Sequence, residues 1–311
     1  MHLKKSNGSR ILRKLSVITI LSLLAFFFSP AANTGDSKPK PIKSVKIENG
    51  AWIVNGKEVR LKGASNRDAW IAGSGILVRG RYVPHYKYSK YKKTLLNADW
   101  TTENGFIPYV RHMVPRGKLD WTEKEIREFL DAGFVVMIEL FDAGYTDNPN
   151  QEPDWKKVVD RFIEYPVVFE ANNEFIGDPE KKSWTIDKVI EIIKYVKDKG
   201  GYITAGAWSG GGGKKMSDEF HKRCNLQDME SHHRGWDLAG INHTLSFGKG
   251  CDANELHTRD INYDETVRLF TNFFKWGALS VNVYPLSLYE SKKDERWNEF
   301  YKIVDFVAQY K

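Results

Sequence analysis

Cysteine is scarce in this chain, with only Cys224 and Cys251 among 311 residues. Two thiols are too few for a disulfide scaffold, and their spacing fits either one bridge or two buried thiols. No G-x-G-x-x-G follows the first buried strand, which removes the dinucleotide-binding fingerprint. No G-x-S-x-G elbow occurs, so a serine hydrolase has no support. The stretch "SGGGGKKMS" imitates a phosphate loop. However, Trp208 stands where its first glycine belongs and Lys215 follows Lys214, so it reads as a loop after the fifth strand, lining a cleft. His232, His233, His243 and His257 match no zinc-ligand spacing, so no metal is expected. The longest apolar run, Leu15 to Phe28, is short of the ~20 residues that span a membrane.

Acidic residues are absent from positions 1–31, which hold Lys4, Lys5, Arg10, Arg13 and Lys14 ahead of that apolar run and of "SPAA". A basic head, a short apolar run and small residues describe a secretory leader, residues 1–32. An extracytoplasmic protein, secreted or periplasmic, is expected, with a membrane involved only if the leader is retained. Without those five basic residues, the 47 lysines and arginines fall to 42 against 40 acidic residues. A nearly neutral mature chain gives nucleic-acid binding no electrostatic support.

Residues 33–43, "NTGDSKPKPIK", read as a linker. In "SVKIENGAWIVNGKEVRLKGAS" the pairs Asn49-Gly50 and Asn55-Gly56 punctuate alternating apolar and polar residues, which is a hairpin signal. A small N-terminal β-hairpin should lead into a buried strand near Arg60 to Ala64. Strands and helices then take turns. The strands are "GFIPYVRHM", "FVVMIELFD", "VVFEANNE", "YITAGAW", "LQDMESHH", "CDANE" and "ALSVNVY". The clearest helices are "DWTEKEIREFLDAG", with Thr122 and Glu125 spaced as a capping box and Gly133 as its stop, "DWKKVVDRFIEY", "WTIDKVIEIIKYVKDKGG", "DETVRLFTNFFKWG" and "DERWNEFYKIVDFVAQY". Eight strands alternating with helices over residues 44–311 point to an α/β fold, a (β/α)8 TIM barrel.

In such a barrel, residues just past each strand line one mouth. Here they are Asn66, Arg111, Asp142, Asn173 with Glu174, Trp208, His232 with His233, Glu255 and Tyr284. Carboxylates, an arginine, amides and aromatics suit sugar binding and the two-carboxyl chemistry of glycoside hydrolysis. The basic, tyrosine-rich segment around Tyr82 to Lys93 reads either as a solvated surface or as a lip on the cleft.

These residues carry a resemblance. "ANNEF" resembles the acid/base motif on the fourth strand of clan A glycoside hydrolases, of which family 5 is nearest. "VNGKEVRLKGASN" resembles the entry to that family's first strand, and "YVRHM" its second-strand arginine. The resemblance implies that Glu174 is the general acid/base, that Asn173 binds the sugar 2-hydroxyl, and that Arg111 sits beside the nucleophile. It implies Glu255 in "CDANEL" as nucleophile, with Glu230 in "DMESHH" as competitor. If Cys224 and Cys251 both open neighbouring strands, that register places Glu255 at its strand's end. His232, His233, Trp208 and Tyr284 fall at substrate-binding positions. The chain departs from the family in having no tyrosine after "HH" to orient the nucleophile, and Tyr284 where a tryptophan is usual. The expected activity is retaining hydrolysis of a poly- or oligosaccharide, through two glutamates, by a monomer without cofactor. A glycan-binding barrel that has lost catalysis, and a transglycosylase using the same residues, are the alternatives.

Overall fold

The computed structural model describes residues 38–65, 77–78, 81–82, 85–141, 151–173, 182–208, 210–233, 238–256, 262–284 and 294–311. The expected leader and the start of the expected linker lie outside them, as do Asn66, Asp142, Glu174 and His257.

The chain enters through β1 (Val45–Glu48) and β2 (Ala51–Val54), which pair antiparallel and lead into β3 (Lys57–Ala64). Both Asn-Gly pairs form the expected turns. Asn49, Gly50, Asn55 and Gly56 all have φ between 51° and 78°, the left-handed region asparagine and glycine tolerate best. The first half of β3 pairs with β2, and the second half joins the barrel at the point anticipated from sequence.

After β3 come the two-residue strands β4 (Leu77–Val78) and β5 (Arg81–Tyr82), which pair with each other, and then α1 (His85–Asn97). The barrel continues through β6 (Phe106–Met113), α2 (Leu119–Asp131), β7 (Val135–Glu139), α3 (Trp155–Phe162), β8 (Val167–Glu170) and α4 (Lys182–Asp198). It finishes through β9 (Ile203–Trp208), α5 (Gly210–Arg223), β10 (Met229–His232), α6 (Leu238–Leu245), β11 (Cys251–Leu256), α7 (Tyr263–Lys275), β12 (Ala278–Val283) and α8 (Asp294–Gln309). Strands β3 and β6 to β12 pair in parallel, each with the next, and β3 closes the ring between β12 and β6. This is a (β/α)8 barrel, as the alternation of elements implied.

Gly63 shows how tightly the ring closes. A Cβ there would lie 2.0 Å from the Tyr109 carbonyl oxygen and 2.8 Å from the Asn282 amide nitrogen, so only glycine fits between β3 and β6. Trp52 of the hairpin is fully buried and donates its indole N–H to Ser280 Oγ of β12 at 3.1 Å.

Several expectations change. Thr122 and Glu125 do not cap α2. The helix starts a turn earlier, after Lys118, and both residues lie buried within it. Glu125 instead accepts hydrogen bonds from Tyr88 and Lys92 of α1, so α1 is docked by a partly buried ion pair. Tyr88 and Tyr91 are core residues rather than sugar platforms, and Lys90 lies over Tyr301 at 5.3 Å. That part of the basic run is therefore a helix packed on the barrel, not a lip. From Gly210 the stretch expected as a loop is the start of α5, whose buried Met216, Ser217 and Phe220 pack it down despite four glycines. Cys224 follows α5 rather than opening a strand. Both cysteines are buried and free.

Candidate active site

Side chains alternate along each strand, so every second residue enters the barrel. On β6 these are Tyr109 and Arg111, on β8 Glu170, and on β11 Asp252 and Asn254. They stack in two polar layers.

The lower layer centres on Asp252, which accepts hydrogen bonds from Ser280 Oγ and, at 3.1 Å, from the Tyr109 hydroxyl. Complete burial raises the Asp252 carboxyl to about 7, against the relief those two donors give.

The upper layer lies at the carboxyl ends of the strands, where Glu139 and Glu170 are paired as the last residues of β7 and β8. Arg111 organises it. The Nε donates to Glu170 Oε2, while Nη2 lies 3.0 Å from Glu139 Oε2 and donates to Asn173 Oδ1 at 2.8 Å. The Nη1 lies 3.6 Å from Glu255 Oε1. A planar fork holding several oxygens in fixed directions is what guanidinium provides and a lysine ammonium would not. Glu170 also accepts from Asn254 Nδ2 at 2.8 Å and from His233 Nε2 at 2.7 Å. Burial alone would raise the Glu170 pKa, but Arg111 and His233 outweigh it and hold the carboxylate ionised. The same pairing acts on His233, whose burial would strip the proton. The charge and hydrogen bond of Glu170, with a smaller contribution from Glu255, raise it to about 9 instead. Three buried carboxylates thus face two cations.

Glu255 and Asn173 are each 6 % exposed, whereas Arg111, Glu170 and His233 are at most 1 % exposed. The cluster therefore meets solvent at these two residues. Glu255 belongs to the seventh barrel strand. Asn173 follows the fourth, its backbone N–H bonded to the Phe141 carbonyl, and the next residue in the chain is Glu174.

Other expected site residues divide. His233 joins the cluster, but His232 turns outward, with Nδ1 3.1 Å from Thr244 Oγ1 of α6. Consecutive residues on a strand face opposite ways, so only one of the two histidines can reach the mouth. Glu230 shares the outward face of His232. It accepts from Gln227 at 2.8 Å, lies 3.0 Å from His221 Nε2 of α5, and pairs with Cys251 at the opening of β11. Glu230 thus points at the helical layer near the far end of the barrel. Trp208 closes β9 in register with His232, and Tyr284, buried, follows β12 with its N–H bonded to Leu256 O.

The sequence reading missed Glu139, Glu170 and Asn254. The signal was present, since a glutamate inside an otherwise apolar strand is costly to bury and has to find a partner. Among the described residues no three His, Cys, Asp or Glu side chains gather in a way that would hold a metal ion.

No protein-family model matches the sequence, and neither does any curated protein compared with it. Similar barrels occur among solved structures. Cel5A of Thermotoga maritima, solved with cellobiose, gives a TM-score of 0.45 at 13% identity over 73% of this chain and 89% of its own. A GH5-4 broad-specificity endoglucanase from an uncultured bovine rumen ciliate gives 0.41 at 10% identity over 63% and 82%. An archaeal fructose 1,6-bisphosphate aldolase gives 0.45 at 8% identity over 84% and 93%. Endoglucanases and aldolases are both among these barrels.

Proposed function

We propose that this protein is a retaining glycoside hydrolase acting on β-linked poly- or oligosaccharides. The observation that carries the reading is Arg111, which reaches both Glu255 at the end of the seventh strand and Asn173, the residue before Glu174, after the fourth. This is in keeping with what the family 5 resemblance implies, an arginine on the second strand beside the nucleophile.

In this mechanism Glu255 attacks the anomeric carbon as Glu174 protonates the departing glycosidic oxygen, giving a glycosyl-enzyme. Glu174 then takes a proton from water, which releases the sugar with its configuration retained. The ion pairs of Glu255 with Arg111 and His233 favour the ionised form a nucleophile needs. In this mechanism Asn173, which accepts a hydrogen bond from Arg111, meets the 2-hydroxyl, a contact that strengthens as the oxocarbenium-like transition state forms. The chain acts outside the cytoplasm once residues 1–32 are removed. N-terminal sequencing of exported protein, beginning near Ala32 or Asn33, tests that step, and an intact Met1 would refute it.

The deciding experiment screens the mature protein, beside Glu255→Gln, against a panel of β-linked polysaccharides and aryl glycosides. Turnover by wild type and none by the variant supports the reading. Tight glycan binding with no turnover by either makes the protein a binding barrel. Predominant transfer to added acceptor sugars makes it a transglycosylase.

A further inference from the structure

The buried pair Glu170–His233 has no counterpart in the two-glutamate chemistry above, and it touches the nucleophile. His233 Nε2 bonds Glu170 Oε1 at 2.7 Å, while its Nδ1, on the other side of the ring, lies 3.4 Å from Glu255 Oε2. A neutral imidazole offers one donor and one lone pair, so between two carboxylates it would turn a lone pair toward an anion. Only the doubly protonated ring turns an N–H toward both neighbours. Glu170 is itself fixed from three strands. Its Oε1 accepts from His233 and Asn254, and its Oε2 from Arg111. It cannot turn without breaking three charge-assisted or buried hydrogen bonds.

We propose that Glu170, acting through the imidazolium of His233, is the positioning device for Glu255, in the place where family 5 relatives use a tyrosine. The inference rests on the glycosidase reading for its chemical meaning. Each oxygen of Glu255 faces one cation, Oε1 the Arg111 fork at 3.6 Å and Oε2 the His233 ring at 3.4 Å. At these distances the two cations act on the carboxylate by charge rather than by hydrogen bonds, biasing its rotation, and contacts of this length tighten when substrate binds. His233 takes no proton from substrate. Its bond to Glu170 holds the ring, and its charge disfavours protonation of Glu255. The charged groups facing His233 among the described residues are Glu170 of β8, Glu255 of β11 and Arg111 of β6, the last opposed in turn by Glu139 of β7.

The test uses a dinitrophenyl glycoside of a sugar accepted in the panel. Its leaving group departs without a proton, so Glu174 does not set the alkaline limb of kcat/KM. Wild type should lose activity as the pH passes about 9, where His233 gives up its proton. Glu170→Gln keeps the shape and an acceptor oxygen but removes the charge. It should move that limb down by at least a pH unit and lower kcat on the order of 10²-fold with little change in KM, as expected when a reacting group is misplaced. His233→Gln should lose the limb altogether. In parallel, the ring resonances of His233 are titrated by NMR in wild type, Glu170→Gln and Glu255→Gln, and each variant should titrate at lower pH than wild type.

A folded Glu170→Gln whose alkaline limb and His233 titration both match wild type overturns the proposal. If that variant does not fold, an unchanged His233 titration in Glu255→Gln overturns it instead. A wild type that turns over nothing in the panel defeats the glycosidase reading, while the NMR titrations still report whether the three groups act together.

Discussion

Asn254 and Glu255 are neighbours on β11, yet both reach the same buried cluster, Asn254 through Glu170 and Glu255 through Arg111 and His233. Strict alternation would send one of them out to the helices. The pairing of β11 with β12 shifts register between Ala253 and Leu256, and this irregularity lets consecutive side chains share one mouth. Such irregularities recur beside active sites, where they re-aim a side chain.

If Glu255 and Glu174 are the catalytic pair, their carboxyl groups should stand about 5–5.5 Å apart in a crystal structure of the mature protein. Proton NMR of the first product should show the substrate's own anomeric configuration before mutarotation. A separation near 9 Å with the inverted anomer appearing first would replace the double displacement with a single one.

The three glutamates should separate cleanly by substitution. Glu255→Gln should remove turnover on every substrate. Glu174→Ala should remain measurable on aryl glycosides with activated leaving groups and recover rate with added azide, which needs no base. Glu230→Gln should keep near-wild-type kcat, because Glu230 faces His221 and Gln227 in the helical layer. Loss of turnover in a folded Glu230→Gln would move the nucleophile to the sixth strand.

Arg111 is the keystone of the buried charges. Arg111→Met leaves Glu139 and Glu170 without their shared cation and should cost about 3–5 kcal/mol of stability, the range for breaking a buried pair from one side. Arg111→Lys restores the charge but not the fork, and should recover only part of that stability. Urea unfolding of the three proteins measures both effects. A loss below 1 kcal/mol in Arg111→Met would mean that the cluster is solvated.

Asp252 should leave a signature in the pH dependence of stability. Its folded pKa is raised to about 7 from an ordinary 3.8, so between those values the folded state binds the extra proton. Stability from this group is therefore fully present below about pH 4 and is lost as the pH rises through about 7, at roughly 1.4 kcal/mol per unit of displacement. Asp252→Asn, which cannot ionise, should flatten the fall in Tm between pH 5 and pH 8. Parallel Tm curves for the two proteins would show that Asp252 stays ionised in the fold.

The architecture is legible in local features of the chain. Alternating apolar strands and amphipathic helices, two Asn-Gly turns, and helix stops such as Gly133 are local signals, each read within about ten residues. They also placed Arg111, Asn173, His233 and Glu255 near strand ends, because a strand's end is itself a local property. Which of those residues meet depends on how the strands close on one another. His232 and His233 look equivalent in sequence, and the register of β10 alone sends one to Thr244 and the other to Glu170. Glu170, four residues before Glu174, reads as the flank of a motif until the closed ring brings Arg111, Asn254 and His233 onto it from three other strands. Helix α5 likewise defies its glycines because apolar side chains far along the helix bury against the barrel. Propensity is a matter of neighbours along the chain. The pairing of buried charges depends on neighbours across the barrel, and those exist only once the ring has closed.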